Sequence, residues 1–210
     1  MLRKTLTDLV ERMTRREAVL TSSKDSISWN AHRDAEELSD RSMVDELAQY
    51  VTIERIKEKR SAAYFMIGKL GLKCRSVDCA RILIGSVHRE KDKYVLSSML
   101  DRLADIEKPR EVDLTPIFPL LKDPRWSVRL SAISAVKNSD SPEAEAAILA
   151  VLNSTTDPYD ITHCNSTLST MGSMDAIPHI KKNFESRKQD IKHSAQYAVH
   201  AIMARHGVRP

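Results

Sequence analysis

A stretch of about a dozen residues recurs five times in this chain, at intervals of about 31 to 36 residues, and a period of that length admits few folds. The copies are KRSAAYFMIGKLG (59–71), VLSSMLDRLADI (95–106), VRLSAISAVKN (128–138), DITHCNSTLSTMG (160–172) and IKHSAQYAVHAIM (191–203). Counted from Lys59, Val95, Val128, Asp160 and Ile191, small or apolar residues stand four and eight places on: Ala63 and Ile67, Met99 and Leu103, Ala132 and Val136, Cys164 and Leu168, Ala195 and Val199. That spacing keeps them on one helix face, where small side chains let neighbouring helices come close. Each copy reads as the second helix of a pair whose core is completed by the pair beside it.

The first helices of the pairs are expected at 43–51, 77–87, 112–121, 143–153 and 176–185, with stripes such as Leu114, Ile117, Phe118 and Leu121, or Ile177, Ile180 and Phe184. Asp123-Pro124 and Asp157-Pro158 occupy equivalent places between first and second helix, where Asp caps and Pro suits a helix start. In LSTMGSMDAIPHI (168–180) one repeat meets the next, Gly172 ending a helix and Pro178 standing in the first turn of another. Upstream, Leu2, Leu6, Leu9, Val10, Met13 and Leu20 share the face of a helix over 2–20; TSSKDS (21–26) breaks it. Ile27, Ala31, Ala35 and Leu38 then mark a second helix, closed by Ser39-Asp40. These helices match no repeat, so residues 1–41 read as an N-terminal helical cap and 42–210 as the repeat array.

With 5% aromatic residues and 5 Gly among 210, the composition favours helices over sheets. No apolar run approaches the roughly 18 residues of a membrane span, and the N-terminus has no signal-peptide core, so a cytoplasmic location is expected. The 3 Cys (Cys74, Cys79, Cys164) are an odd number and read as reduced thiols, with Cys164 in the core.

KRSAAYFMIGKLG, DPRWSVRLSAISAV and MGSMDAIPHI together resemble the HEAT-like repeat of bacterial proteins, the type first associated with phycobilisome lyases. The resemblance covers roughly residues 42–206. It implies an all-α fold, a right-handed α-solenoid of about five HEAT-like helical pairs. Its motifs specify fold far better than function, because such solenoids serve many tasks; lyase activity is implied by the family name alone.

In a curved array of this kind the second helices line the concave face, so residues at their starts are the first candidates for contact. Trp126 and Tyr159 stand two places before Val128 and Ile161, and Tyr94 one place before Val95. They form either an aromatic binding edge or filling between repeats. Arg60, Arg129 and Lys192 fall in one column. The resemblance gives the Arg a structural role, pairing with Asp123 or Asp157; a ligand contact is the alternative.

Charge is striped. Residues 55–75 carry Arg55, Lys57, Lys59, Arg60, Lys69, Lys73 and Arg75 against Glu58, and residues 176–210 carry Lys181, Lys182, Arg187, Lys188, Lys192, Arg205 and Arg209 against Glu185 and Asp190. Residues 138–175 hold six acids and neither Lys nor Arg. A phosphate-binding track should be basic throughout, so the stripes favour a protein partner over nucleic acid. The rival reading is a nucleic-acid binder, DNA-glycosylase-like if Trp126, Tyr159 and Asp160 act together. His163, His179, His193 and His200 lack metal-site spacing, and no phosphate loop or nucleophile elbow occurs.

The expectation is a non-enzymatic protein-interaction module, an adaptor, regulator or immunity-type binder. It takes no cofactor or metal, and contacts its partner through Trp126, Tyr159, Tyr94, Arg129 and Lys192. The oligomeric state is left open.

Overall fold

The computed structural model describes residues 2–17 and 22–208, and among these the regular secondary structure is helical apart from an isolated bridge between Lys108 and Ser139. Leu20 and Arg209 of the sequence reading lie outside the described residues. Two compact units are present, Met1–Ile106 and Glu107–Pro210.

The first unit holds α1 (Lys4–Met13), α2 (Ile27–Glu36), α3 (Met43–Ile53), α4 (Lys57–Lys73), α5 (Val77–Ser86) and α6 (Lys93–Ala104). In α1 the buried residues Leu6, Leu9, Val10 and Met13 form the expected stripe, but the helix stops at Met13 instead of running to 20. There Thr14 turns its hydroxyl back onto the Val10 carbonyl at 2.8 Å, and the Ser28 hydroxyl takes the Met13 carbonyl at 2.7 Å. Both α1 and α2 pack on α4. Arg3 ties the chain start to the α3 region, its Nε donating to Glu46 at 2.8 Å and its Nη1 to Asp40 at 2.8 Å.

The second unit holds α7 (Trp126–Ala135), α8 (Pro142–Ser154), α9 (Pro158–Met171), α10 (Ile177–Lys181) and α11 (Gln189–Arg205). All five second helices, α4, α6, α7, α9 and α11, fall on the recurring stretches. All ten of the positions four and eight places along them are buried, Cys164 among them.

Two first helices differ from expectation. The segment expected as a helix over 112–121 is a 3-10 helix, Thr115–Lys122, because Pro119 inside it has no N–H to give an α-helical bond and its ring crowds the preceding turn. Its apolar stripe still points inward, with Leu114, Ile117 and Leu121 buried. The helix expected over 176–185 shrinks to α10, preceded by a 3-10 turn, Met174–Ala176, and followed by tight turns closed by Phe184 N–H on Lys181 and Ser186 N–H on Asn183.

Gly172 ends α9 as expected, but in an extended conformation, φ −65° and ψ 143°. Space rather than left-handed backbone demands glycine there: a Cβ would come within 2.7 Å of the Leu168 carbonyl oxygen and 3.1 Å of Ile202 on α11. The left-handed residues instead follow α4, α7 and α11, at Arg75 (φ 47°), Asn138 (φ 55°) and Gly207 (φ 69°). All three thiols are free, with Cys79 and Cys164 buried and Cys74 half-buried. Burial pushes the Cys79 and Cys164 thiols up from their ordinary range.

The α4–α6 approach is set by Gly68, where a Cβ would sit 2.6 Å from Cβ of Arg102. Gly68→Ala is therefore expected to destabilise by about 1–3 kcal/mol despite the gain in helix propensity. Gly85→Ala on α5, where an added Cβ meets nothing within 4 Å, should stabilise by about 0.5–1 kcal/mol. Urea midpoints of the two variants check the contrast; equal shifts of one sign would refute it.

Candidate functional site

The starts of α7 and α9 differ: Asp157-Pro158 caps and opens α9 as expected, whereas α7 begins only at Trp126, behind Arg125 and without a side-chain cap, so Asp123-Pro124 lies outside the helix. The Asp157 carboxylate caps α9 by accepting from the Tyr159 N–H at 2.8 Å, and Pro158 fills the first turn, where a missing N–H costs nothing. Ahead of α7, Asp123 accepts from the Arg125 N–H at 2.8 Å and from its guanidinium at 2.9 and 2.7 Å. These bonds hold the Asp123 carboxyl below the usual carboxylate range. The first-turn side chains Trp126 and Tyr159 are thereby carried outward, 68% and 70% exposed. Filling between repeats is excluded for both at that exposure.

Trp126 and Tyr159 line one cleft of about 350 Å³, together with Arg129, Leu130 and Asp157. Its wall is mainly apolar, and its floor is an ion pair. Arg129 donates through Nε to both Asp160 oxygens, at 2.9 and 3.1 Å, through Nη2 to Asp157 at 3.3 Å, and through Nη1 to the Asp123 carbonyl at 3.1 Å. Asp160 also accepts from the Thr155 hydroxyl at 3.1 Å. Deeper between the helices the Ser134 hydroxyl meets His163 Nδ1 at 3.1 Å, and the Thr167 hydroxyl donates to the Ile133 carbonyl at 2.9 Å. The cleft therefore stands on a cross-linked helix pair.

The same link occurs in the first unit. Arg60 forks onto Glu90 with Nε at 2.8 Å and Nη2 at 2.9 Å, and Glu90 is buried. Both pairs span one repeat, 30 and 31 residues. The carboxylates that do most of this work, Glu90 and Asp160, are not the expected Asp123 and Asp157; Asp157 joins at the longer distance and Asp123 contributes only its carbonyl. The signal that finds them is a carboxylate one period downstream of the column arginine.

Of the remaining expected contacts, Tyr94 is 69% exposed in the first unit, under the Lys93 ammonium at 4.8 Å, and lines a separate cleft with Lys57 and Asp92. Lys192 stands half-buried on α11 and does not line the Trp126 cleft. The basic run of 55–75 is largely neutralised: Lys57 pairs with Asp92 (2.8 Å), Lys59 with Glu11 (2.5 Å), Arg60 with Glu90, Lys69 with Glu36 (2.9 Å) and Lys73 with Glu37 (2.9 Å). Among the described residues no three His, Cys, Asp or Glu side chains gather as a metal site, and no helix is long and apolar enough to cross a membrane.

Residues 114–200, which include this cleft, match the family model of HEAT repeats. A designed armadillo repeat protein has the same fold at 15% identity and a TM-score of 0.56, over 94% of this chain and 99% of its own. Two engineered proteins align at 17% and 15% identity with TM-scores of 0.55 and 0.56, over 96% and 97% of this chain and 98% and 100% of theirs. No curated protein matches the sequence. Residues 114–200 are thus similar to HEAT repeats, and the fold of the chain is an all-α repeat solenoid; the match is to HEAT repeats at large and does not reach the phycobilisome-lyase type.

With its side chain 19% exposed and that of Asp160 7% exposed, the Arg129 pair is costly to halve. Arg129→Met is expected to destabilise by about 3 kcal/mol. A double-mutant cycle with Asp160→Asn should return a coupling of about 0.5–3 kcal/mol; additive losses would show that the pair is not a link.

Proposed function

We propose that the protein is a non-enzymatic interaction module, an adaptor, regulator or immunity-type binder in the cytoplasm, which holds a protein partner at the Trp126–Tyr159 cleft. The observation carrying this reading is the pair of aromatic side chains two-thirds exposed on either side of an apolar cleft. Tyr and Trp are enriched among the residues that anchor protein interfaces, and here two of them flank one apolar cleft. Arg129 and its carboxylates fix the floor beforehand, so little freedom is lost by this chain on association. Lys192 extends the contact as an outlying group of the same unit, Tyr94 offers an aromatic contact of its own in the first unit, and residues 1–41 serve as a helical cap. Pairing of the 55–75 cations removes the unbroken positive track that a nucleic-acid backbone requires.

Affinity capture of the tagged protein from native lysate, with and without nuclease, supplies the partner. Trp126→Ala and Tyr159→Ala should each weaken its binding by about 30-fold, the usual loss at an interface anchor, with the helical circular dichroism unchanged. Wild-type affinity in both variants would sink the proposed surface, and partners lost on nuclease digestion would transfer the function to nucleic acid.

A further inference from the structure

Three rings of the first unit carry a cation of their own. The Arg33 guanidinium stands 5.9 Å from the Trp29 centroid, the Lys93 ammonium 4.8 Å from Tyr94, and Phe65 has Lys69 at 5.2 Å and Arg102 at 5.5 Å. The electron-rich face of an aromatic ring draws a positive charge, most strongly at Trp. In the second unit no Phe, Tyr or Trp ring has such a partner among the described residues, although Trp126 and Tyr159 are as exposed as Tyr94. These two line one cleft, so a single cation entering it meets both rings.

The charge of the cleft favours the same occupant. Its two charged lining residues are unequally open, Asp157 being 40% exposed and Arg129 19%. Every nitrogen of Arg129 is already engaged, Nε by Asp160, Nη1 by the Asp123 carbonyl and Nη2 by Asp157. Two carboxylates therefore share one guanidinium, and a single negative charge is left over. Asp123 is matched by Arg125 at 2.7 Å, and residues 138–175 contain no Lys or Arg to offset the surplus. A carboxylate entering here would face Asp157 and the negative faces of both rings, and an aliphatic group would leave that charge unanswered. A Lys or Arg side chain lays its methylenes on the apolar wall at Leu130 and brings its charge to the rings and to Asp157.

We infer that the protein partner presents a basic side chain, Lys or Arg, to the Trp126–Tyr159 cleft, its charge held by the two rings and Asp157. The inference rests on the interaction site proposed above and names what that site takes. The test is selection of a displayed random peptide library on the intact protein, followed by affinity measurements with the enriched peptides. The expected peptides share a Lys or Arg. Its replacement by norleucine, which keeps the methylenes and drops the charge, weakens binding by about tenfold. Trp126→Ala and Tyr159→Ala lower the affinity at least as much, and both positions are exposed enough for the fold to tolerate truncation. Asp157→Asn, which still caps α9, lowers it by about threefold, and Trp29→Ala leaves it unchanged. Peptides that bind as tightly with norleucine, yet are lost in Trp126→Ala, would overturn the basic occupant and leave the cleft as the interface. Binding indifferent to Trp126 and Tyr159, or no enriched peptide at all, would overturn it as well. So would binding of N7-methylguanosine, a cationic nucleobase, that outcompetes the peptides at the cleft.

Discussion

Helices that are apolar nearly all round are the constraint on which the rest of this molecule depends. In α7, Val128 and every residue from 130 to 135 are buried, and α4 buries Ala62, Ala63, Tyr64, Met66, Ile67, Gly68, Leu70 and Gly71. Such a helix has no solvent face and must be enclosed on several sides. A single partner helix covers one side, and the second helix of the adjoining pair covers another. The contrast is α1, whose Leu6, Leu9, Val10 and Met13 form one stripe and leave the opposite face to water. Repetition of the pair is thus a packing requirement.

That enclosure also decides where function can sit. Along α7 and α9 most side chains are committed to neighbours, and the first turn is where large groups still reach solvent, as Trp126 and Tyr159 do. The arginine links lie at the same level. Arg129 and Arg60 each hold a carboxylate one period on, so the residue that positions the cleft floor also joins successive pairs. The proposed binding surface and the stacking of the array share the same few atoms, which is why an arginine there has both a structural and a functional reading.

The second helices were legible to within a few residues because small and apolar residues at four-residue spacing are required wherever helices approach closely. The first helices were less so. The stripe Leu114, Ile117, Leu121 correctly named the buried face, yet it is shared by α and 3-10 geometry, and only Pro119 tells them apart. Gly172 does end its helix, but the left-handed backbone that usually favours glycine at such a place occurs at Arg75, Asn138 and Gly207. Among the expected contacts, Trp126, Arg129 and Tyr159 converge because all three lie in the first turns of adjacent second helices. Glu90 and Asp160 escaped that reading, since the carboxylate ends of the arginine links lie one period downstream of Arg60 and Arg129 and not beside them.

The thiols report on this architecture in another way. Cys79 lies in one unit and Cys164 in the other, both fully enclosed, while Cys74 is partly open at the end of α4. A buried thiol is shielded from electrophiles and disfavoured as the reactive thiolate. The chain therefore carries one natural clock in each unit: alkylation at Cys79 times the opening of the first, alkylation at Cys164 times the opening of the second, and Cys74 marks the rate for a thiol that need not wait for either.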